Sequence, residues 1–536
     1  MKVNGKSKSQ PSDSFDPSPR IKRLALTFVV LWSVIFISVP KSWIGLKDGY
    51  YYSLWIKTFT TSPGLQDING TQYVSYPFYW FWVWGQIYRL FGWHSPSNVY
   101  AFTAIASYTI GIAMAYWYLR KVIGNTNAYL FILFFELFFI ITNQVQIWQK
   151  PHEHFAFLVS FAVAVYLANK LTENSQSDFK KLALSGIVLG FSFGVYTPPV
   201  VLVLIGLCVN SILNLKLFNW KRSLIVIVTF TLVSGPQIFV MVKTYLRFHT
   251  TPTPMIYQIT EFFPTLWIPV WLLILIFVSM QFNIDLEFSK SDNFLKVLLI
   301  FFVVCYLIVQ VAYLFNRIIN RSDIVLIGIA VCILWISVLH LPNEFSNSRF
   351  FEITTLFLIS IAFLANTTPL YPGADTDYRS NYEISVARSQ NPYLKEVASI
   401  YEKKYCGLKV FSNDELRFLP ASTKCRMPMT LPFNEGNTGP DIPYQERIDS
   451  FSEAVSNYDA KKLSSWFDKT QTRFISLVAV NNNFEFEFLI NKNYPISGTV
   501  LSPKIVVSDK KFIDMLESNW VIDLRTPTLF VAHRIN

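Results

Sequence analysis

The chain has 536 residues, of which 52% are apolar and only 15% are charged, and its mean hydropathy is +0.34. Typical soluble domains carry about 25% charged residues, so this composition excludes an ordinary soluble enzyme. It also excludes a disordered chain and a disulfide scaffold, because the apolar content is high and the chain has only five cysteines. The class that remains is a multi-pass membrane protein.

The charge is distributed unevenly along the chain. Residues 1–370 contain 26 Lys and Arg against 15 Asp and Glu, whereas residues 371–536 contain 20 of each. The whole net charge of +11 therefore belongs to the apolar part. This pattern is typical of basic cytoplasmic loops between membrane spans and not of a nucleic-acid-binding domain, so we expect a lipid bilayer and no nucleic acid among the partners.

The apolar runs predict the spans. Residues 1–23 are polar, basic and rich in Ser and Pro, as in a cytoplasmic tail. The run 24–39 has no small-residue cleavage site after it, which favours a retained helix. A span needs about 20 apolar residues. Further spans are expected at 99–118, 127–143, 155–169, 182–196, 199–214, 223–242, 264–281, 296–316, 324–341 and 351–367, which makes eleven.

Basic residues between the spans predict the orientation. The pairs and groups near 120, 175 and 220 all fall on the side of the N-terminal tail, which the positive-inside rule places in the cytoplasm. With an odd number of spans, the last 167 residues lie outside the plasma membrane. The stretch 77–92 is interpreted as a helix at the membrane surface, because Trp and Tyr favour the headgroup level.

The C-terminal part predicts a small α/β domain. We expect strands at 408–412, 473–480, 484–490 and 504–507, a hairpin at 520–533 and helices at 443–457 and 459–468. The predicted fold is therefore mostly α: a multi-pass transmembrane helical bundle (24–369) followed by an extracytoplasmic α/β domain (370–536). Cys406 and Cys425 lie in this domain and would pair in an oxidising compartment if their Cα atoms approach closely enough, a point that the sequence leaves open.

Acidic and aromatic residues are concentrated in the first outer loop. Asp48 follows the first span, Asp67 lies further along the loop, and Tyr76 and Trp80 belong to an aromatic run. A carboxylate such as Asp48 can take the proton of an acceptor hydroxyl, and aromatic rings can stack on sugars. Asp48 could equally be solvated at the interface, and Asp67 could form an Asx turn.

Cationic and histidine side chains occupy the later outer loops. Lys150, His152 and Glu153 form one group, and Arg247 lies in another. Such cations can neutralise a phosphate leaving group, although Lys150 could also be an ordinary interfacial lysine. The two histidines at 152 and 154 lack the i,i+4 spacing of a helical zinc motif, so a metal site is the weaker interpretation.

One acidic residue, Glu136, lies within an apolar run. An ionisable residue is costly there and is a candidate functional group. It could instead be protonated and paired with a neighbouring helix, which we favour.

These features resemble the GT-C glycosyltransferases, which use polyprenyl-phosphate sugars on the outer side of the membrane. Within that superfamily, the similarity is greatest to the galactan 5-O-arabinofuranosyltransferase family of actinobacterial cell-wall synthesis. Three stretches carry the resemblance: the first loop with Asp48, Asp67 and the run 76–85, the second-loop motif 150–153, and, in the C-terminal part, the segment 444–467 with the strand 473–480 and the terminal hairpin.

The resemblance implies a single-step, inverting transfer from a polyprenyl-phosphate sugar to a cell-envelope glycan such as galactan. Asp48 would be the general base and Asp67 a second loop carboxylate. His152 and Glu153 would face the donor sugar. No cofactor is required, and the acidic loop permits a divalent cation.

The assignment of Lys150 and Arg247 to the donor phosphate rests on their charge and on the side of the membrane predicted for them. It does not rest on the family motif. The substrate-binding set also includes Tyr76 and Trp80.

Other functions remain open on sequence grounds. An enzyme of the same fold could use mannose or aminoarabinose on lipid or protein. A flippase of lipid-linked precursors would be expected to show inverted repeats with broken helices, and none is evident in the sequence. A non-catalytic subunit would tolerate replacement of Asp48.

Overall fold

The computed structural model describes residues 48–61, 77–92, 96–142, 151–172, 179–215, 219–248, 297–304, 391–416, 419–425, 444–486, 489–490, 500–501, 504–516 and 518–535, and the single positions 294, 328, 332 and 427. The expected tail 1–23 and the spans 24–39, 264–281, 296–316, 324–341 and 351–367 lie wholly or mostly outside these residues, and they stay predictions.

Seven helices form the described part of the N-terminal bundle between residues 48 and 248. They are α1 (Asp48–Thr61), α2 (Tyr79–Phe91), α3 (Pro96–Thr142), α4 (Pro151–Thr172), α5 (Phe179–Val195), α6 (Thr197–Leu213) and α7 (Trp220–Phe248). Among the residues that the structure describes, three segments are long and apolar enough to cross a membrane: Phe102–Asn125, Pro151–Leu171 and Trp220–Val242. They coincide with the spans expected at 99–118, 155–169 and 223–242. The total of eleven spans stays a prediction.

Helix α3 consists of two halves that meet at Gly124. The backbone there is not helical, with φ +79° and ψ 171°, a conformation that glycine adopts readily. The rings of Tyr116 and Tyr129 lie 4.6 Å apart, whereas thirteen residues of straight helix would separate them by roughly 20 Å. The chain therefore reverses at Gly124, as expected for separate spans at 99–118 and 127–143.

The stretch 77–92 contains helix α2, which packs closely on α1. At Gly85, an added Cβ atom would lie 2.4 Å from the Cβ atom of Phe59, so only glycine allows the two backbones to approach this closely. The buried side chains of α2 include Trp80, Phe81 and Trp84. The helix is thus confirmed, and its location at the membrane surface stays a prediction.

The C-terminal domain contains short helices and strands. They are α8 (Tyr393–Lys404), β1 (Val410–Ser412), α9 (Leu419–Ser422), α10 (Tyr444–Ser456), α11 (Ala460–Thr470), β2 (Phe474–Val480), β3 (Asn483–Phe486), β4 (Leu489–Ile490), β5 (Val500–Leu501), β6 (Ile505–Ser508), α12 (Asp509–Asp514), β7 (Trp520–Arg525) and β8 (Leu529–Arg534). The expected strands at 408–412, 473–480 and 504–507, the hairpin and the two helices are confirmed, whereas the strand expected at 484–490 is divided into β3 and β4, which belong to different sheets. The sequence interpretation missed α8, α9 and α12.

The main sheet has the strand order β6-β3-β2-β8-β7, and β1 adds to β2 in parallel. The other neighbouring strands of this sheet are antiparallel. Alternate residues of β2 face opposite sides. Phe474 and Val478 pack with α8 in one core cluster, and Ile475 and Leu477 pack with α10 and α11 in another. The sheet therefore lies between two helical layers, which confirms an α/β domain.

The two cysteines of this domain are not joined by a disulfide in the structure. Cys406 is exposed and Cys425 is partly buried. Burial, together with a hydrogen bond to Cys406, raises the pKa of the Cys425 thiol to about 12. The structure therefore brings the two side chains together without a disulfide between them.

Candidate functional site

Side chains from three separated stretches meet around His152. The ring of Tyr52 in α1 lies 4.6 Å from that of His152, centroid to centroid, in an edge-on arrangement. Trp80 and Phe81 of α2 both lie at 5.3 Å. Tyr196, between α5 and α6, lies at 6.1 Å. His152 is fully buried, and we call these four rings the aromatic cage.

Tyr52 of the cage lies one helical turn after Asp48, the first residue of α1. Residues four apart share one face of an α-helix, so Asp48 and Tyr52 occupy the same face of α1. The first outer loop and the second-loop motif therefore converge, as the sequence interpretation requires. The side chain of Asp48 is not among those described.

Trp80 is held in the cage by a specific hydrogen bond. Its indole Nε1–H donates to Oγ of Ser107 in α3, at 2.8 Å, and the Trp80 side chain is buried. The hydroxyl of Ser107 in turn donates to the carbonyl of Thr103, at 2.7 Å. The indole N–H of Trp80 is therefore hydrogen-bonded within the protein, and the ring forms one wall of the aromatic cage.

His152 and Glu153 lie in the first turn of α4. Pro151 begins this helix, a position where its missing N–H costs nothing. Glu153 is partly buried, and a carboxylate at a helix N-terminus is stabilised by the helix dipole. Both residues that the sequence interpretation assigns to the donor sugar thus lie at the same end of the bundle.

His154 has a different role from His152. Two residues along a helix correspond to about 200° of rotation, so the two imidazoles face different neighbours. Nε2 of His154 lies 2.8 Å from Oε1 of Glu136, and both side chains are buried. The expected pairing of Glu136 with a neighbouring helix is confirmed.

The remaining residues of the predicted site are only partly described. Asp67, Tyr76 and Lys150 lie outside the described residues. Arg247 lies in the last turn of α7, and its side chain is not among those described. Their roles therefore stay predictions, as does the role of Asp48.

Several residues of this region were missed by the sequence interpretation. Tyr52, Phe81 and Tyr196 complete the cage. Gln237 in α7 is fully buried, and its Oε1 accepts the N–H of Phe78 at 3.2 Å, just before α2 begins. An amide in an apolar helix, directly after Pro236, is the signal that could have identified Gln237, because polar groups in membrane helices bond across to other elements.

Within the described ranges, no group of three His, Cys, Asp or Glu side chains is arranged to hold a metal ion. The loop that carries Asp67 is not part of these ranges, so the sequence expectation about a divalent cation is untested.

No family model and no curated protein matches the chain. Among solved structures, the arabinofuranosyltransferase AftD from Mycobacteria is similar, with a TM-score of 0.53, 12% identity, and coverage of 97% of this chain and 40% of that chain. ArnT from Cupriavidus metallidurans, bound to undecaprenyl phosphate, has a TM-score of 0.48 and 11% identity over 94% of this chain and 98% of its own. The oligosaccharyltransferase AglB from Archaeoglobus fulgidus has a TM-score of 0.45 and 11% identity over 86% and 70%.

The likeness to AftD shows the fold. The match to AftD extends over nearly all of this chain but less than half of that protein. At 12% identity this is a likeness of fold alone, and the GT-C resemblance stays a prediction. The sugar, the acceptor and the residue roles do not follow from a likeness at this identity.

Proposed function

We propose that the protein is a membrane glycosyltransferase that transfers arabinofuranose from a polyprenyl-phosphate donor to a cell-envelope glycan such as galactan. One observation carries the proposal: α1, α2 and α4 bring the start of the first outer loop, its aromatic run and the second-loop motif together around His152. The fold similarity to AftD supports the same class of reaction.

In the proposed reaction, Asp48 takes the proton from an acceptor hydroxyl, which then attacks the anomeric carbon of the donor sugar. The bond from that carbon to the phosphate oxygen breaks, and the configuration inverts in one step. His152 and Glu153 orient the sugar, with Tyr76 and Trp80 as further substrate contacts, and Asp67 is a second loop carboxylate that helps to bind the acceptor or a metal ion. Lys150 and Arg247 neutralise the charge that develops on the leaving phosphate.

The proposed location is the plasma membrane, with the N-terminus in the cytoplasm and the C-terminal α/β domain outside. The proposed donor carries its sugar on a lipid phosphate, so this phosphate lies at the membrane surface, within reach of the outer loops. The C-terminal domain would then recognise the acceptor glycan or shape the entrance of the site.

The deciding experiment measures sugar transfer by purified protein from synthetic polyprenyl-phosphate arabinose to a short galactan acceptor, with Asp48→Asn as the variant. We expect transfer by the wild type and a loss of about 100-fold or more in the variant, the range that removal of a general base causes. Exposed Lys403→Met in α8 is the matched control and should retain the wild-type rate.

The other outcomes separate the alternatives. Transfer that survives Asp48→Asn would keep the enzyme class and move the base to Asp67 or Glu153. Transfer from mannose or aminoarabinose donors, but not from arabinose donors, would show that the protein transfers a different sugar from the one proposed. Movement of a lipid-linked sugar across vesicles without transfer would identify a flippase and contradict the proposal.

A further inference from the structure

Lys57 is a buried lysine that connects the N-terminal bundle to the C-terminal domain. Only 3% of its surface is exposed. Its ammonium group donates to the main-chain oxygens of Pro420 and Thr423 and, at 2.8 Å, to Oγ1 of Thr423. These acceptors lie in and just after α9, more than 360 residues away along the chain.

The helix that carries Lys57 contacts both parts of the chain. Tyr52 and Phe59 pack against α2, with the Tyr52 and Phe81 ring centroids 5.4 Å apart. Trp55 contacts Phe81 of the cage, with ring centroids 5.0 Å apart, and it also packs against the core cluster of the C-terminal domain that contains α8 and β2. Helix α1 therefore contacts both the aromatic cage and the C-terminal domain.

The groups around Lys57 come from α8 and from the segment after α9. Burial lowers the pKa of Lys57 to about 7, and the nearby Cys425, Glu402 and Cys406 act in the opposite direction. The main-chain N–H of Lys424 donates to Oε1 of Glu402, so the segment that binds Lys57 is itself fixed to α8. In some proteins, the hydrogen bonds of a buried charged group specify one arrangement of the elements it joins.

We propose that Lys57 is a positioning residue that ties α1, and with it the Asp48 carboxylate, to the C-terminal domain. The inference rests on the proposed function in taking Asp48 as the base. A shift of α1 at Lys57 also moves Asp48, because the two residues belong to one helix and the nine residues from Asp48 to Lys57 span only about 14 Å. A displacement of about 1 Å at a reacting group can cost on the order of 100-fold in rate.

The experiment compares wild-type protein with Lys57→Met, which keeps most of the side-chain volume and removes the ammonium donor. Thr423→Val removes one acceptor on the other side of the contact. Lys403→Met, on the exposed surface of α8, is the matched control. For each protein we would measure amide hydrogen exchange in α1, and kcat and KM for the lipid-linked donor.

We expect amide exchange in α1 to be at least 10-fold faster in Lys57→Met, and kcat to fall about 10- to 100-fold while the donor KM changes less than twofold. Thr423→Val should show the same changes to a smaller degree, and Lys403→Met should match the wild type. Unchanged exchange in α1 together with unchanged kcat would overturn the proposal.

The two readouts separate this proposal from the proposed function. If the wild type transfers no sugar from any donor, the proposed function fails. Exchange in α1 then still decides whether Lys57 fixes this helix. If Lys57→Met does not fold, Thr423→Val decides in its place: wild-type exchange and wild-type kcat in that variant would overturn the positioning role.

Discussion

Nε2 of His154 lies 2.8 Å from Oε1 of Glu136, and the two fully enclosed side chains join α4 to the second half of α3. The ring of Tyr108, in the first half of α3, lies 4.3 Å from the His154 ring. Three helical segments that the sequence predicts as separate spans are thus connected at one buried polar contact.

This contact predicts an unusual double-variant result. Glu136→Leu should destabilise the protein by about 1–3 kcal/mol, because it leaves a buried imidazole without its partner. Combining it with His154→Phe should recover most of that loss, since replacing both partners by apolar groups is nearly neutral. Melting temperatures in detergent test this, with exposed Thr109→Ala in the first half of α3 as the control. Additive losses in the double variant would contradict a simple pair.

How much of the structure follows from the sequence depends on the kind of signal. Short apolar runs such as that of β2 are local signals, so most of the strands, the hairpin and two helices of the C-terminal domain were predictable. Convergence of the loop motifs on one site was predictable from the predicted topology. The ring contacts around His152 were not, because Tyr52 and Tyr196 carry no local pattern that distinguishes them from other interfacial aromatic residues.

The contact of Lys57 with α9 was also beyond the sequence. A lone lysine in a helix normally predicts a solvated side chain, and nothing in the local sequence indicates that a distant segment covers it. Helix α8 was missed for a related reason: its buried residues, such as Val397 and Tyr401, form a narrow stripe in an otherwise polar segment.

Replacement of His152 separates its two potential roles. His152→Phe keeps a ring of similar size inside the aromatic cage and removes both ring nitrogens. We expect the variant to fold, with a melting temperature within a few degrees of the wild type, and to transfer sugar about 10- to 100-fold more slowly, the loss that one or two hydrogen bonds to substrate would cause. Transfer at the wild-type rate would mean that His152 serves only to pack the cage.

The lowered pKa of Lys57 predicts a pH-dependent stability. The value of about 7 in the folded protein lies below about 10.4 for an unfolded lysine. Between these values the unfolded chain binds the proton that the folded protein has released, so the free energy of unfolding rises with pH. The slope is at most about 1.4 kcal/mol per pH unit.

Lys57→Met lacks this titration. The melting temperature of the wild type relative to Lys57→Met should therefore rise from pH 7 to pH 9 and stay constant below about pH 6. Taking the difference at each pH cancels the other ionisable groups that the two proteins share. A difference that is independent of pH over the whole range would show that Lys57 keeps its charge in the folded state.

Removal of divalent cations tests the metal-independent form of the proposed reaction. We expect transfer to continue at an unchanged rate after treatment with EDTA, because the lysine and arginine side chains of the outer loops would supply the positive charge at the leaving phosphate. A loss of transfer that Mg²⁺ or Mn²⁺ restores would instead assign a cation to the carboxylates of the first loop. Asp67→Asn should then weaken the metal response.

The proposed topology predicts which cysteine thiols a reagent can reach from outside the cell. Cys406 is exposed on the C-terminal domain, whereas Cys208 lies in the apolar helix α6. We expect a membrane-impermeant maleimide to label intact cells at Cys406, with the label lost in Cys406→Ser and retained in Cys208→Ser. Labelling that requires prior reduction would show that Cys406 and Cys425 pair in the cell. Labelling of Cys406 only after the membrane is permeabilised would place the domain in the cytoplasm and remove the basis for an outer acceptor.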